Sequence, residues 1–140
     1  MGVPRTKLAS DYYRVAKQRF EDAKFLMQNN RTTGAIYLAG YVVECMLKAL
    51  LLSQIPKKRQ PEVVEAFKSG RGHDLEWLSE QYHNAGGAPF GRDRSVVRAF
   101  QIVVGWSSEL RYEPGMARPA DANNFMEATR VILNWADGRL

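Results

Sequence analysis

The stretch GAIYLAGYVVECMLKALLLS, residues 34–53, constrains the fold more than any other part of the chain. At helical spacing its apolar residues fall on two adjoining stripes. Ala35, Leu38, Val42, Cys45, Ala49 and Leu52 make one, and Ile36, Gly40, Val43, Leu47 and Leu50 the other. A helix with so little circumference left for water must be central. A membrane span of this length would carry Glu44, Lys48 and two tyrosines into hydrocarbon, which is costly, so a buried core helix is the better expectation. The remaining stripe, Tyr37, Tyr41, Glu44 and Lys48, is polar-tipped and is expected at a solvated or partner-covered edge. Glu44 precedes Lys48 by four residues, the favourable order for an ion pair, and Gly40 would let a neighbour approach closely.

The rest of the chain is also helical in period, with no alternating run that suggests a strand. Tyr13, Ala16, Phe20, Ala23 and Met27 give a first amphipathic helix, expected to begin near Ser10 or Asp11. A short helix is expected over residues 62–67, and another from His73 or Asp74 that buries Leu75, Leu78 and Tyr82. A further helix is expected over residues 93–112, with Val97, Phe100, Val104, Ser107 and Arg111 on its core side. The last starts near Pro119 and packs Phe125, Ala128, Ile132 and Trp135. The expected architecture is an all-α, up-and-down bundle of four to five helices in one domain spanning residues 1–140.

At 45% hydrophobic and 25% charged the sequence is that of a chain able to build its own core. Its formal net charge of +5 favours an acidic partner such as nucleic acid without requiring one. The single cysteine, Cys45, has no internal disulfide partner, and MGVPRTKLASDYY lacks the apolar core of an export signal. A cytoplasmic location is the expectation.

Motifs that carry chemistry are few. One cysteine and two histidines cannot build a zinc site of the finger or deaminase kind, and no phosphate-binding glycine loop or nucleophile elbow is present. No metal or cofactor is expected. Glu80 and His83 have the Glu-x-x-His spacing of helical di-iron proteins, but there is no second copy, and both are expected to face solvent. The three-residue cluster Lys57, Lys58 and Arg59 reads as a solvated loop.

Four stretches in order, AIYLAGYVVECMLKALL, GHDLEWL, WSSELRYEPG and DANNFMEATRVILNW, resemble the HEPN domains over most of the chain, from about Tyr12 to Trp135. The resemblance implies a bundle of four or five helices that commonly dimerises. It also implies a metal-independent endoribonuclease or a partner of a small nucleotidyltransferase, in toxin–antitoxin, defence or RNA-processing systems. Catalytic members carry an arginine followed, after four to six residues, by a histidine. Arg111 matches the arginine, whereas Met116, Ala117 and Arg118 occupy the places where the histidine would stand. None of these three can exchange a proton near neutral pH.

Metal-free RNA cleavage needs a base for the 2′-hydroxyl, an acid for the leaving oxygen and a cation for the charged phosphorus centre. Arg111 supplies only the last. His73, at a helix start, and Tyr112 are the candidates for proton transfer. Tyr112 would have to titrate about three pH units below its ordinary value near 10, and His73 is expected to bond to local backbone instead. The candidate catalytic residues are therefore Arg111, His73 and Tyr112, and the candidate binding residues Arg111, Arg118, Lys48, Glu44 and Tyr41. Arg111 on an apolar stripe needs a carboxylate, with Glu44 the internal candidate, or a phosphate, or a dimer cleft. The leading expectation is a dimeric module, non-catalytic or weakly catalytic, that binds RNA, nucleotide or a protein partner such as a nucleotidyltransferase or antitoxin. An endoribonuclease and a purely structural assembly subunit are the alternatives.

Overall fold

The computed structural model describes residues 4–140. Residues 1–3, part of the opening stretch on which the expectation of no export signal rests, lie outside the described residues. Thr6 accepts from the Ala9 N–H and starts helix α1, Lys7–Gln28, a little earlier than the expected caps at Ser10 or Asp11. A three-residue link, with Asn30 at φ 61, turns the chain into α2, Thr32–Ser53. Asparagine is among the residues that tolerate this left-handed backbone best. The shorter helices follow: α3, Gln60–Ala66; α4, Leu75–Asn84; α5, Arg94–Val103; and α6, Pro119–Asp137. The described residues are all-helical, with six α-helices rather than four or five.

The α2 helix is the hub, packed by α1, α4 and α6, while α5 lies on α6. Val43, Met46, Leu47 and Leu52 have no accessible surface, and burying each large apolar side chain stabilises the fold by about 1.5–3 kcal/mol. Most of both apolar stripes of α2 is covered within the one chain, with Ile36 and Leu38 half-buried. By length and composition α2 could cross a membrane, yet most of it is buried by the other helices. Glu44 and Lys48, expected on a solvated or partner-covered edge, are buried too. That expectation missed because the segment leading into α4 folds across this face.

The expected helix over residues 93–112 is broken. Its α-helical part ends at Val103, Gly105 interrupts it, and Ser107 caps a separate 3-10 turn, Ser108–Tyr112, by accepting from the Glu109 N–H. Glycine in a helix interior costs about 1 kcal/mol relative to alanine, and here the chain needs the break to seat Trp106. The buried face is Val96, Ala99 and Val103, with Val97, Phe100 and Val104 only half-buried. Arg111 is consequently on a surface turn and not on a core stripe.

Candidate functional site

Gly40 explains how the site is assembled. A Cβ added there would meet the Trp106 indole at 2.0 Å, so only glycine lets the ring lie against α2. The seated indole anchors the chain just before the Ser108–Tyr112 turn and therefore positions Arg111. A second anchor lies just after Arg111. Thr32 Oγ1 donates to the Ala117 carbonyl at 2.6 Å, and Thr33 Oγ1 accepts from the Ala117 N–H at 2.8 Å and donates to the Gly115 carbonyl at 3.2 Å. Both ends of the arginine-bearing turn are thus tied to α2.

On the same helix Glu44 is almost completely buried, and each of its oxygens has a partner. Lys48 Nζ donates to Oε2 at 2.8 Å, and His73 Nδ1 lies 2.8 Å from Oε1. The ammonium of Lys48 also lies 5.0 Å from the Phe67 ring centre and 5.5 Å from that of Tyr12, within cation–π range. Lys48 is thereby occupied inside the protein and does not reach the surface as a ligand-binding cation. His73 differs: its side chain is 47% exposed. An ionised carboxylate can only accept, so Glu44 fixes the imidazole proton on Nδ1 and leaves Nε2 with the free lone pair. The expected bonding of His73 to local backbone is replaced by this bond to α2.

A row of aromatic rings connects His73 with Arg111. Tyr41 packs edge-on against His73 at 6.0 Å and against Trp106 at 4.9 Å, and its hydroxyl is 3.4 Å from that of Tyr37. Desolvation, then the bond to Tyr37 and the Glu44 charge, push the Tyr41 phenol up to about 12, with Arg111 acting in the opposite sense. Tyr41 is neutral near pH 7 and serves as a surface, not as a base. Arg111 is fully exposed, with its guanidinium carbon 4.8 Å from the centre of the Tyr112 ring. The phenols of Tyr112 and then Tyr37 favour its charged form. Among the described residues no carboxylate lies within 4 Å of it, and Glu44, its expected internal partner, is engaged elsewhere. Tyr112 is also highly exposed. Arg118 is exposed and pairs with Asp121 at 3.1 Å.

An open cleft of about 470 Å³ lies beside this row, lined by His73, Asp74, Trp106, Ser107, Ser108 and Glu109, among others. Among the described residues no group of three or more histidine, cysteine or acidic side chains is arranged to hold a metal. Glu80 is exposed, but His83, expected in solvent, packs against Phe90 at 4.6 Å with its Nε2 buried and unpartnered. Burial pushes the Cys45 thiol up to about 12, with the Glu44 charge acting in the same direction. That thiol is unreactive at neutral pH.

The sequence reading brought Arg111, Tyr41, Glu44 and His73 forward separately; the structure places all four along one side of α2. It left Trp106 without a role, although Gly40 facing a partner of unknown identity was the available signal. A small all-helical module with an exposed arginine and a carboxylate-held imidazole along one aromatic row is the class that fold and site define. The chain belongs to the HEPN family: the family model for the HEPN domain matches residues 9–139, and the domain is a helical module linked to RNA binding or cleavage. No curated protein and no solved structure matches the chain.

Proposed function

We propose that this HEPN chain binds RNA along the row from Arg111 to His73, with Arg111 as the phosphate ligand. The observation that carries this reading is the state of Arg111: exposed, stacked on the Tyr112 ring, with neighbouring phenols favouring its charged form, and without a carboxylate within 4 Å among the described residues. A guanidinium so placed offers its N–H fork to a phosphate. Binding of a labelled short RNA, measured across a salt series, tests it. Arg111→Ala should weaken binding and flatten the logarithmic salt slope by about 0.7 for each single-strand phosphate that is no longer neutralised. A chain with no affinity for RNA would instead be an assembly subunit.

The His73–Glu44 bond favours a second reading, weak metal-independent cleavage. His73 Nε2 would take the 2′-hydroxyl proton, the freed oxygen would attack the adjacent phosphorus, and the bond to the 5′-oxygen would break. Water would protonate that leaving oxygen, and a 2′,3′-cyclic phosphate would remain on the other product. With no second proton carrier matched to the leaving oxygen, the rate should be low. Incubating RNA with chelator separates the readings. Cyclic-phosphate ends that disappear in His73→Ala and Arg111→Ala, with a rate loss of about 10²–10⁴, identify a nuclease. Intact RNA with retained binding identifies a binder.

A further inference from the structure

We infer that the exposed ridge of α5 is the track along which a single RNA strand reaches the His73 cleft, an extension of the RNA-binding reading above. Among the described residues α5 is the one α-helix with arginines and no carboxylate. On α1 and α6 several surface cations are neutralised locally, as in Lys7–Asp11 at 2.6 Å, Lys24–Glu21 at 2.8 Å and Arg130 with Glu127. Residues 94–108 contain no acidic side chain. Arg94 and Arg98 are exposed, and neither lies within 4 Å of a carboxylate among the described residues. Asp93, just before the helix, has its Oδ1 occupied by the Ser95 and Val96 N–H groups.

Two arginines four residues apart face each other across one helical turn, and like charges in that register destabilise an isolated helix by a few tenths of a kcal/mol. A polyanion turns that repulsion into attraction. At 100° per residue Arg94, Arg98 and Gln101 fall on one narrow ridge, opposite the buried Val96, Ala99 and Val103. The two arginines are about 6 Å apart along the axis. The helix ends at Val103, and the residues just beyond it, Val104, Trp106 and Ser107, line the cleft that holds His73. A track one helix wide suits one strand, whose phosphates follow the arginines.

The test uses the full chain and RNA single strands of about 4–16 nucleotides, a range spanning known single-strand site sizes. Arg94→Gln with Arg98→Gln should reduce the salt slope by about 1.4, two phosphates at about 0.7 each. The effect should appear only with strands long enough to reach from Arg111 to Arg94, and the melting temperature should hold or rise. If Arg111→Ala weakens binding but the double variant leaves the slope unchanged at every length, the track is wrong and the functional reading stands. If the unmutated chain binds no RNA, both fall. A duplex of the same sequence that loses as much slope in the double variant as the single strand would overturn the single-strand assignment.

Discussion

His73 Nδ1 lies 2.8 Å from Oε1 of Glu44, a residue 29 positions earlier in the chain, while Lys48 donates to the other oxygen of the same carboxylate. One buried anion therefore serves two cationic or donor groups, one sealed in the core and the other half in solvent. The carboxylate ties the segment before α4 to α2 and sets the tautomer of the imidazole that borders the cleft.

Replacing Glu44 by glutamine should show how far the fold depends on this anion. The amide would leave the Lys48 ammonium buried without a counter-charge, and removing one member of a buried pair costs about 3–5 kcal/mol. Urea unfolding should register a loss of that order. Glu44→Gln combined with Lys48→Met should recover much of it, because no uncompensated charge stays inside. A single-variant loss below about 1 kcal/mol would mean that water reaches Lys48.

Gly40→Ala tests the seat of Trp106. The new methyl would overlap an indole 2.0 Å away, and overpacking of this kind costs about 1–3 kcal/mol. Because Trp106 leads into the Ser108–Tyr112 turn, RNA affinity should fall along with the melting temperature. Adding Trp106→Phe should return part of both, since the smaller ring leaves room for the methyl and removes an indole N–H that has no acceptor.

The sequence carried these features unequally. The central helix was legible because two apolar stripes in one stretch leave no other place for it. Arg111 was legible as an unusual residue, but its position was not: periodicity runs through Gly105 as though the helix continued, and only the need to seat Trp106 shows why it stops. Glu44 with Lys48 was legible as a pair, since four residues span one turn. Their burial, and the bond to His73, depend on where the segment before α4 crosses α2. That crossing is a long-range packing outcome with no local signature.

Thr33→Val removes the hydroxyl that clips residues 115 and 117 to the start of α2. Two bonds are lost, each worth about 0.5–1.5 kcal/mol, a modest change in unfolding midpoint. The larger effect should be on RNA binding, because the far end of the turn bearing Arg111 would then be held only by the Thr32 hydroxyl on the Ala117 carbonyl. Binding that stayed at wild-type strength would show that the Trp106 anchor and the Thr32 bond suffice.

High pH should destabilise the fold through Cys45 and Tyr41. Both are pushed up to about 12 in the folded chain, from ordinary values of 9.0 for the thiol and 10.0 for the phenol. The folded state then holds protons that the unfolded state has released, so stability falls as pH rises. For the thiol the loss runs from about pH 9 to about 12, and for the phenol from about 10 to about 12. Unfolding free energy measured across that range should decline less steeply in Cys45→Ala and in Tyr41→Phe. Equal slopes in all three proteins would refute the assignment.

Glu109 lies two residues before Arg111 and contributes to two neighbouring clefts, the one bordered by His73 and an apolar one lined by Ile36, Ile102 and Leu110. It is exposed and forms no ion pair within 4 Å among the described residues. Beside a bound phosphate its charge opposes Arg111. Two unit charges about 4 Å apart in water repel by about 1 kcal/mol, so Glu109→Gln should tighten RNA binding by up to about fivefold at low salt. Screening shortens the Debye length to about 3 Å at 1 M salt, and the gain should vanish there. Weaker binding in Glu109→Gln would assign the carboxylate a supporting role, as an acceptor for a base or a 2′-hydroxyl, and would move the strand from the ridge into the cleft.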